Sequence, residues 1–200
     1  QTNDLRRIVD EFSRFARMPE PDRRDCDIAE LLRDAVILQE GSLHGAALAA
    51  DIPAGPVVVE LDATMISQAF TNLIKNAGEA IESMTEKGAP EGWNPEVRVT
   101  MHVGPDAVRI CICDNGIGLP PDRSRLFEPY VTTRAKGTGL GLPIVKKIIE
   151  EHGGVLTLTD APEFTPGAHR GAQAEIRLPR ARAVTRTIKE RAPDAPTGLT

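Results

Sequence analysis

Asp114 closes a run in which Val108, Ile110 and Ile112 occupy alternate positions, so its side chain shares a face with three aliphatic residues. A carboxylate on a buried face is costly unless a donor reaches it. Asn115, Gly116, Ile117 and Gly118 follow at once, and the two glycines let the backbone turn sharply and leave room for a ligand beside the carboxylate. The exocyclic amino group of an adenine would be a suitable donor. Taken alone, the same residues could equally be a turn that closes a hairpin.

Two further groups carry chemistry. Asn72, Asn76 and Glu79 fall within roughly 60° of one another on a helix at about 100° per residue, on a face roughly 120° from the Ile66/Phe70 stripe, which Leu73, Ala77 and Ile81 continue. Carboxamide oxygens on such an edge suit a hard cation such as Mg²⁺, which keeps waters and also binds substrate phosphates; ordinary surface polarity is the competing explanation. The second group is Gly137-Thr138-Gly139-Leu140-Gly141-Leu142-Pro143, whose glycines expose backbone amides at the start of a helix, where anions are favoured. No strand leads directly into it and no GxxxxGK[ST] occurs, so neither the dinucleotide-binding nor the P-loop pattern is met.

These residues need positioning elements, and the periodicity supplies them. Leu5, Ile8, Phe12 and Phe15 mark an amphipathic helix with a narrow seam over 1–17, stopped by Pro19 and Pro21. Asp27 is the expected N-cap of a helix with the stripe Ile28, Leu31, Leu32, Ala35 and Leu38. Strands are expected over 47–52 and 57–61, and a long helix from an Asp62 cap to about Met84. Two more alternating runs cover 97–103 and 108–112. Residues 115–138 show no periodicity, which in a compact domain marks a functional or mobile connection. A helix resumes near Leu140, with Pro143 in its first turn, and stops at Gly153-Gly154; strands over 155–159 and 172–178 follow. The order is not a regular βαβ alternation, so an α+β two-layer sandwich is expected, a mixed sheet with helices on one face.

Composition bounds the rest. The chain has 200 residues, 24 Lys plus Arg against 29 Asp plus Glu, and a net charge of −5, with no basic excess for nucleic acid. At 40% hydrophobic and 26% charged it is globular, and no apolar run approaches the ~18 residues of a membrane span. Cys26, Cys111 and Cys113 form no CxxC pair, which fits a reducing compartment. The opening QTNDLRRIV carries neither a signal peptide nor an initiator Met and reads as the continuation of a longer chain. The Arg-, Pro- and Ala-rich stretch after Arg180 has little to bury.

In this order, QAFTNLIKNAGEA, DNGIG, LFEPYVTTR and GTGLGL resemble the N box, first glycine box, F box and second glycine box of the ATP-binding catalytic domain of sensor histidine kinases. That domain lies within the superfamily of gyrase, Hsp90, histidine kinases and MutL, and the wording is most similar to the nitrogen-regulation NtrY/NtrB group. The resemblance covers roughly 62–178 and implies the Bergerat ATP-binding fold. It implies three parts: 1–22 as the end of a dimerisation and phosphotransfer hairpin, 23–180 as the catalytic domain, and 181–200 as a flexible tail. It further implies ATP and Mg²⁺ as cofactors, with Asn76 on the metal, Asn72 and Glu79 on the phosphate side, and Asp114 on the adenine amino group. Gly116 and Gly118 would shape the base pocket. Gly137, Thr138, Gly139, Leu140 and Gly141 would approach the phosphates, and 119–136 would be a lid carrying Phe127, Thr132, Thr133 and Arg134.

Hydrolysing members of the superfamily carry a Glu as general base where this chain has Asn72, which takes no proton at neutral pH. Transfer to another nucleophile is therefore expected over hydrolysis. Many histidine kinases have a Lys where Glu79 stands, so the phosphate-facing charge falls to Lys75, Arg134 or Lys136; Tyr130 replaces a more usual Phe. None of His44, His102, His152 and His169 sits in an HExxN-like context, so the phosphoacceptor is expected outside this chain, on the first helix of a helical hairpin whose second helix ends in 1–17. The implied partners are that hairpin, in a dimer, and a receiver domain of the NtrX/NtrC type, with no nucleic acid and no membrane contact. The expected location is the cytoplasmic side, with the full-length parent anchored in the inner membrane. A nucleotide-binding or partner-sequestering module without transfer is the alternative.

Overall fold

Apolar periodicity and acidic caps account for the order of elements in the computed structural model, which describes residues 18–129 and 139–180. The elements are β1 (Arg24–Asp27), α1 (Ile28–Gln39), β2 (Ala47–Asp51), β3 (Val58–Leu61), α2 (Ala63–Lys87), β4 (Glu96–Val103), β5 (Ala107–Asp114), α3 (Gly141–Glu151), β6 (Val155–Asp160) and β7 (Ala172–Pro179). The expected helix over 1–17, the tail 181–200 and the site candidates Thr133, Arg134, Lys136, Gly137 and Thr138 lie outside the described residues.

Five strands form one sheet in the order β2-β4-β5-β7-β6; β2 runs parallel to β4 and the other pairs are antiparallel, so the sheet is mixed as expected. Its register aligns Val99, Ile112 and Ala174 in one row and Met101, Ile110 and Ile176 in the next. These rows are buried with Ile66, Phe70, Ile74 and Ile81 of α2 and Val145, Ile148 and Ile149 of α3. On the opposite face, Cys111 and Cys113 are covered by Ala161 and Phe164 of the β6–β7 connector, with the Arg98 guanidinium 3.9 Å over the Phe164 ring.

Two aspartates start the helices. Asp27 Oδ1 accepts from Ala29 N at 3.0 Å and also from Val57 N at 2.9 Å, which ties the start of α1 to β3. The bond from Val57 leads the causes that hold the Asp27 carboxyl below its usual range. Asp62 caps α2 through Met65 N at 3.0 Å, and its own amide donates to His152 Nε2 at 3.0 Å. The other nitrogen of His152, Nδ1, lies 2.7 Å from Ile148 O, so the imidazole is a buried peg between α2 and α3.

One expectation needs correction, and one strand has an unforeseen partner. Leu38 does not join the buried stripe of α1: it is 71% exposed, whereas Ile28, Ala29, Leu32, Ala35 and Val36 are buried. At about 100° per residue Leu38 points roughly 120° from the centre of that buried arc. Residues 58–61 do form a strand, but it pairs with β1 in a separate two-stranded ribbon, Cys26 opposite Val59. The sequence of β1, Arg-Asp-Cys-Asp, has no apolar alternation to announce it.

Gly78 sits in α2 where a Cβ would lie 2.6 Å from Ser42 O. Helix propensity favours Gly78→Ala by about 1 kcal/mol. Overpacking against backbone costs roughly 1–3 kcal/mol, so the substitution should destabilise the domain. A lower urea midpoint in Gly78→Ala checks this; a raised midpoint would mean that the 40–42 turn yields freely.

Candidate functional site

Asp114 is 5% exposed at the end of β5, on the helix-facing side that its strand parity predicts. Its Oδ1 accepts from Gly116 N at 2.9 Å and from Ala172 N at 3.3 Å, the latter reaching across from β7. Both bonds fall on one oxygen, and among the described residues no other donor is recorded at the carboxylate. Burial pushes the Asp114 carboxyl up to about 7, against the downward pull of those two amides.

The turn after Asp114 is wedged between two backbones. A Cβ on Gly116 would lie 2.4 Å from Ala80 C, and Ile117 N donates to Ala80 O at 3.1 Å, so the first glycine lets the turn press directly on α2. From the other side, a Cβ on Gly171 would lie 2.1 Å from Asp114 O and 2.6 Å from Oδ1. Gly118 has φ +80°, the left-handed region, which explains the second glycine of the pair. Asn115 turns to the loop before β4: its Oδ1 accepts from Glu96 N at 2.8 Å, its Nδ2 donates to Asn94 O at 2.7 Å, and its carbonyl accepts from Trp93 Nε1 at 2.9 Å.

The polar edge of α2 meets the start of α3. Asn72, Asn76 and Glu79 are all half-buried. A Cβ on Gly141 would lie 3.9 Å from Asn76 Oδ1 and 4.0 Å from Nδ2, so the Asn76 amide lies beside the first residue of α3. No side chain caps α3; Leu140 stands at its N-cap, and Gly139 before it has φ +68°. Amides with no side-chain cap among the described residues, at the positive end of the helix dipole, therefore lie next to a carboxamide oxygen; the amides suit a phosphate and the oxygen suits the cation that the phosphate carries. Lys75, a candidate for the phosphate-facing charge, pairs with Glu79 at 3.8 Å. Phe127 of the LFEPYVTTR stretch packs on the core, with Lys146 Nζ 4.9 Å from its ring centroid.

The turn after Asp114 thus meets α2 at Ala80, and the start of α3 meets the same helix at Asn76. Sequence reasoning missed Gly171 and the Ala172 amide; the available signal was a glycine immediately before an alternating strand. It also missed His169, whose Nε2 lies 2.9 Å from Gly116 O. No group of three or more His, Cys, Asp or Glu among the described residues is arranged to hold a metal. A cavity of about 270 Å³ is lined by Arg23, Leu61, His152, Leu178 and Arg180, and by none of the candidate site residues. No described helix is long and apolar enough to cross a membrane.

Comparison with known proteins agrees with this fold. Residues 61–182 match the family described as histidine kinase-, DNA gyrase B-, and HSP90-like ATPase. The nitrogen regulation protein NtrY of Azorhizobium caulinodans is 48% identical over 165 residues, which is 82% of this chain and 21% of that relative's length. The catalytic domain of histidine kinase ThkA, nucleotide-free, superposes with a TM-score of 0.65 at 27% identity, covering 80% of this chain and 96% of that one. Full-length ShkA in complex with AMPPNP gives 0.70 at 27% identity, covering 91% of this chain and 37% of that one. With the family matched across most of the sheet and both site helices, the chain belongs to the histidine kinase-, DNA gyrase B- and HSP90-like ATPases.

Proposed function

We propose that this chain is the ATP-binding catalytic module of a two-component sensor histidine kinase, transferring the γ-phosphoryl group of Mg-ATP to a histidine outside residues 1–200. The observation that carries the reading is the buried Asp114 carboxylate, held by backbone amides on one oxygen only, whose turn packs on α2 at Ala80, while Asn76 of the same helix meets the start of α3. The first feature suits an adenine amino group; the other two suit a triphosphate and its metal.

On this reading Asp114 accepts from the base, and Gly116 and Gly118 shape its pocket. Leu140 and Gly141 lead the phosphates to the amides of α3. Asn76 offers an amide oxygen to Mg²⁺, which when bound neutralises phosphate charge; Asn72 and Glu79 line the same edge. Thr133, Arg134 and Lys136 belong to the lid, Gly137 and Thr138 to the glycine turn that approaches the phosphates, and the phosphate-facing charge comes from Lys75, Arg134 or Lys136. Asn72 leaves the site without a general base for water, so the work is positioning and charge neutralisation for another nucleophile.

The four histidines support an acceptor elsewhere. Both nitrogens of His152 face backbone groups, His169 faces Gly116 O, His44 is 3.6 Å from Glu82, and His102 is exposed on a strand. The acceptor would sit on a dimeric helical hairpin ending in residues 1–22, ahead of the catalytic domain at 23–180 and a tail at 181–200. A receiver domain of the NtrX/NtrC type would take the phosphoryl group onward. The parent protein would be anchored in the inner membrane, with this part on the cytoplasmic side.

Mixing the chain with a separately expressed acceptor hairpin and γ-labelled ATP should place label on histidine. ATP binding without transfer would favour a sequestering module, and rapid release of free phosphate would favour hydrolysis. In calorimetry, Asp114→Asn should abolish adenine-nucleotide binding and Asn76→Ala should remove its Mg²⁺ dependence. Unchanged affinity or an unaltered metal titration would refute the respective role.

The acid–base state of Asp114 supplies a pH test. Its carboxyl is pushed up to about 7 in the free protein, so ionisation costs the folded state more than the unfolded one. Stability from this group is accordingly lost as pH rises from the ordinary carboxylate range through about 7. An adenine donor favours the ionised form, so binding should pull the carboxyl down and affinity should rise through the same window. A carbon-13 titration of Asp114 should show a midpoint near neutrality that drops by at least ~1 unit with nucleotide, equivalent to about tenfold in affinity. A midpoint that nucleotide leaves in place would contradict the adenine assignment.

A further inference from the structure

The β6–β7 connector, residues 161–171, is held by its own polar contacts rather than by regular structure. Glu163 accepts from Gly167 N at 2.9 Å and from Arg170 Nη2 at 3.0 Å, and Ala161 N donates to Gly171 O at 3.0 Å. Phe164 is clamped on the sheet under Arg98. The connector's last residues press on the turn after Asp114: Gly171 stacks on the Asp114 backbone, and Arg170 O lies 3.2 Å from where a Gly118 Cβ would be.

We propose that this connector forms the second wall of the base site and that His169 is a positioning residue for it, fixing the Gly116 peptide and through it the Asp114 carboxylate. The inference rests on the nucleotide reading of Asp114. Gly116 uses its amide on Asp114 Oδ1 at 2.9 Å and its carbonyl on His169 Nε2 at 2.9 Å, while the next amide, Ile117 N, is spent on Ala80 O at 3.1 Å. The imidazole therefore donates Nε2–H to the carbonyl. The His169 and Ala80 bonds hold the 116–117 peptide, the Asp114 bond and the bond from Trp93 Nε1 to Asn115 O hold the 115–116 peptide, and the two planes meet at a glycine with no Cβ to restrict rotation between them. Without the His169 bond the 116–117 peptide keeps only the bond from Ile117 N to Ala80 O, the turn at Gly116 loosens, and the Gly116 amide of the preceding peptide is held less firmly on Asp114 Oδ1.

His169 is itself solvent-exposed, so its replacement removes little packing. Three forms of the 200-residue chain separate positioning from stability: wild type, His169→Ala and His169→Gln, whose side-chain amide can still donate. We expect His169→Ala to weaken Mg-ADP binding about tenfold in calorimetry, with the Gly116 amide resonance displaced and the melting temperature within ~2 °C of wild type. His169→Gln should recover affinity to within about twofold and return the Gly116 resonance. Equal affinity in His169→Ala, with the Gly116 resonance in place, overturns the proposal. So does a loss of affinity that tracks a fall in melting temperature and is not rescued by Gln. If the wild type binds no Mg-ADP, the nucleotide reading itself fails, and the Gly116 resonance in the unliganded variants still reports whether His169 holds that peptide.

Discussion

One buried carboxylate organises the site. Asp114 can occupy the helix-facing side of β5 because the amides of Gly116 and Ala172 meet its Oδ1, and each of those amides makes a demand on the fold. Gly116 must turn back within two residues, which brings it against the Ala80 peptide of α2 and forbids a side chain there. Ala172 must begin β7 opposite the end of β5, which requires the register that places Gln173 beside Cys113 and forbids a side chain at Gly171. A charge that burial would otherwise expel is thus the point where the sheet, the long helix and the β6–β7 connector are brought into contact.

The second half of the site follows from packing α3 against the same helix. Ile144, Val145, Ile148 and Ile149 bury one side of α3, and the His152 imidazole joins its C-terminal end to the Asp62 cap of α2. With that end pinned, the other end carries Gly141 to the Asn76 amide and leaves the first-turn amides uncapped. On the proposed reading, base and phosphate would be received along one helix, α2, whose apolar face is core.

Much of this was legible from residue patterns. Strand parity puts Asp114 on the buried face, both aspartate caps form as the sequence predicts, and Asn72, Asn76 and Glu79 are half-buried at the margin of the buried stripe, as a face roughly 120° from it requires. What escaped was set by distance along the chain. Ala172 meets Asp114 across 58 residues, and His169 meets Gly116 across 53; neither contact leaves a local period, because the register of β5 and β7 creates both. The β1–β3 ribbon was hidden for a related reason, since four residues reading Arg-Asp-Cys-Asp gain strand character only from their partner. Leu38 misled because a leucine at helical spacing was assigned to the buried arc before the centre of that arc was known.

The central claim is that the Asp114 carboxylate reads an adenine base while the start of α3 receives the phosphates. The most direct measurement is a crystal structure of the chain with Mg-AMPPNP. The account predicts the adenine amino nitrogen within hydrogen-bond distance of Asp114 Oδ2, with the phosphates at the amides that open α3 and the metal on Asn76 Oδ1. A nucleotide seated elsewhere, for instance in the cleft between Arg23 and Arg180, with Asp114 left to its two backbone amides, would contradict it.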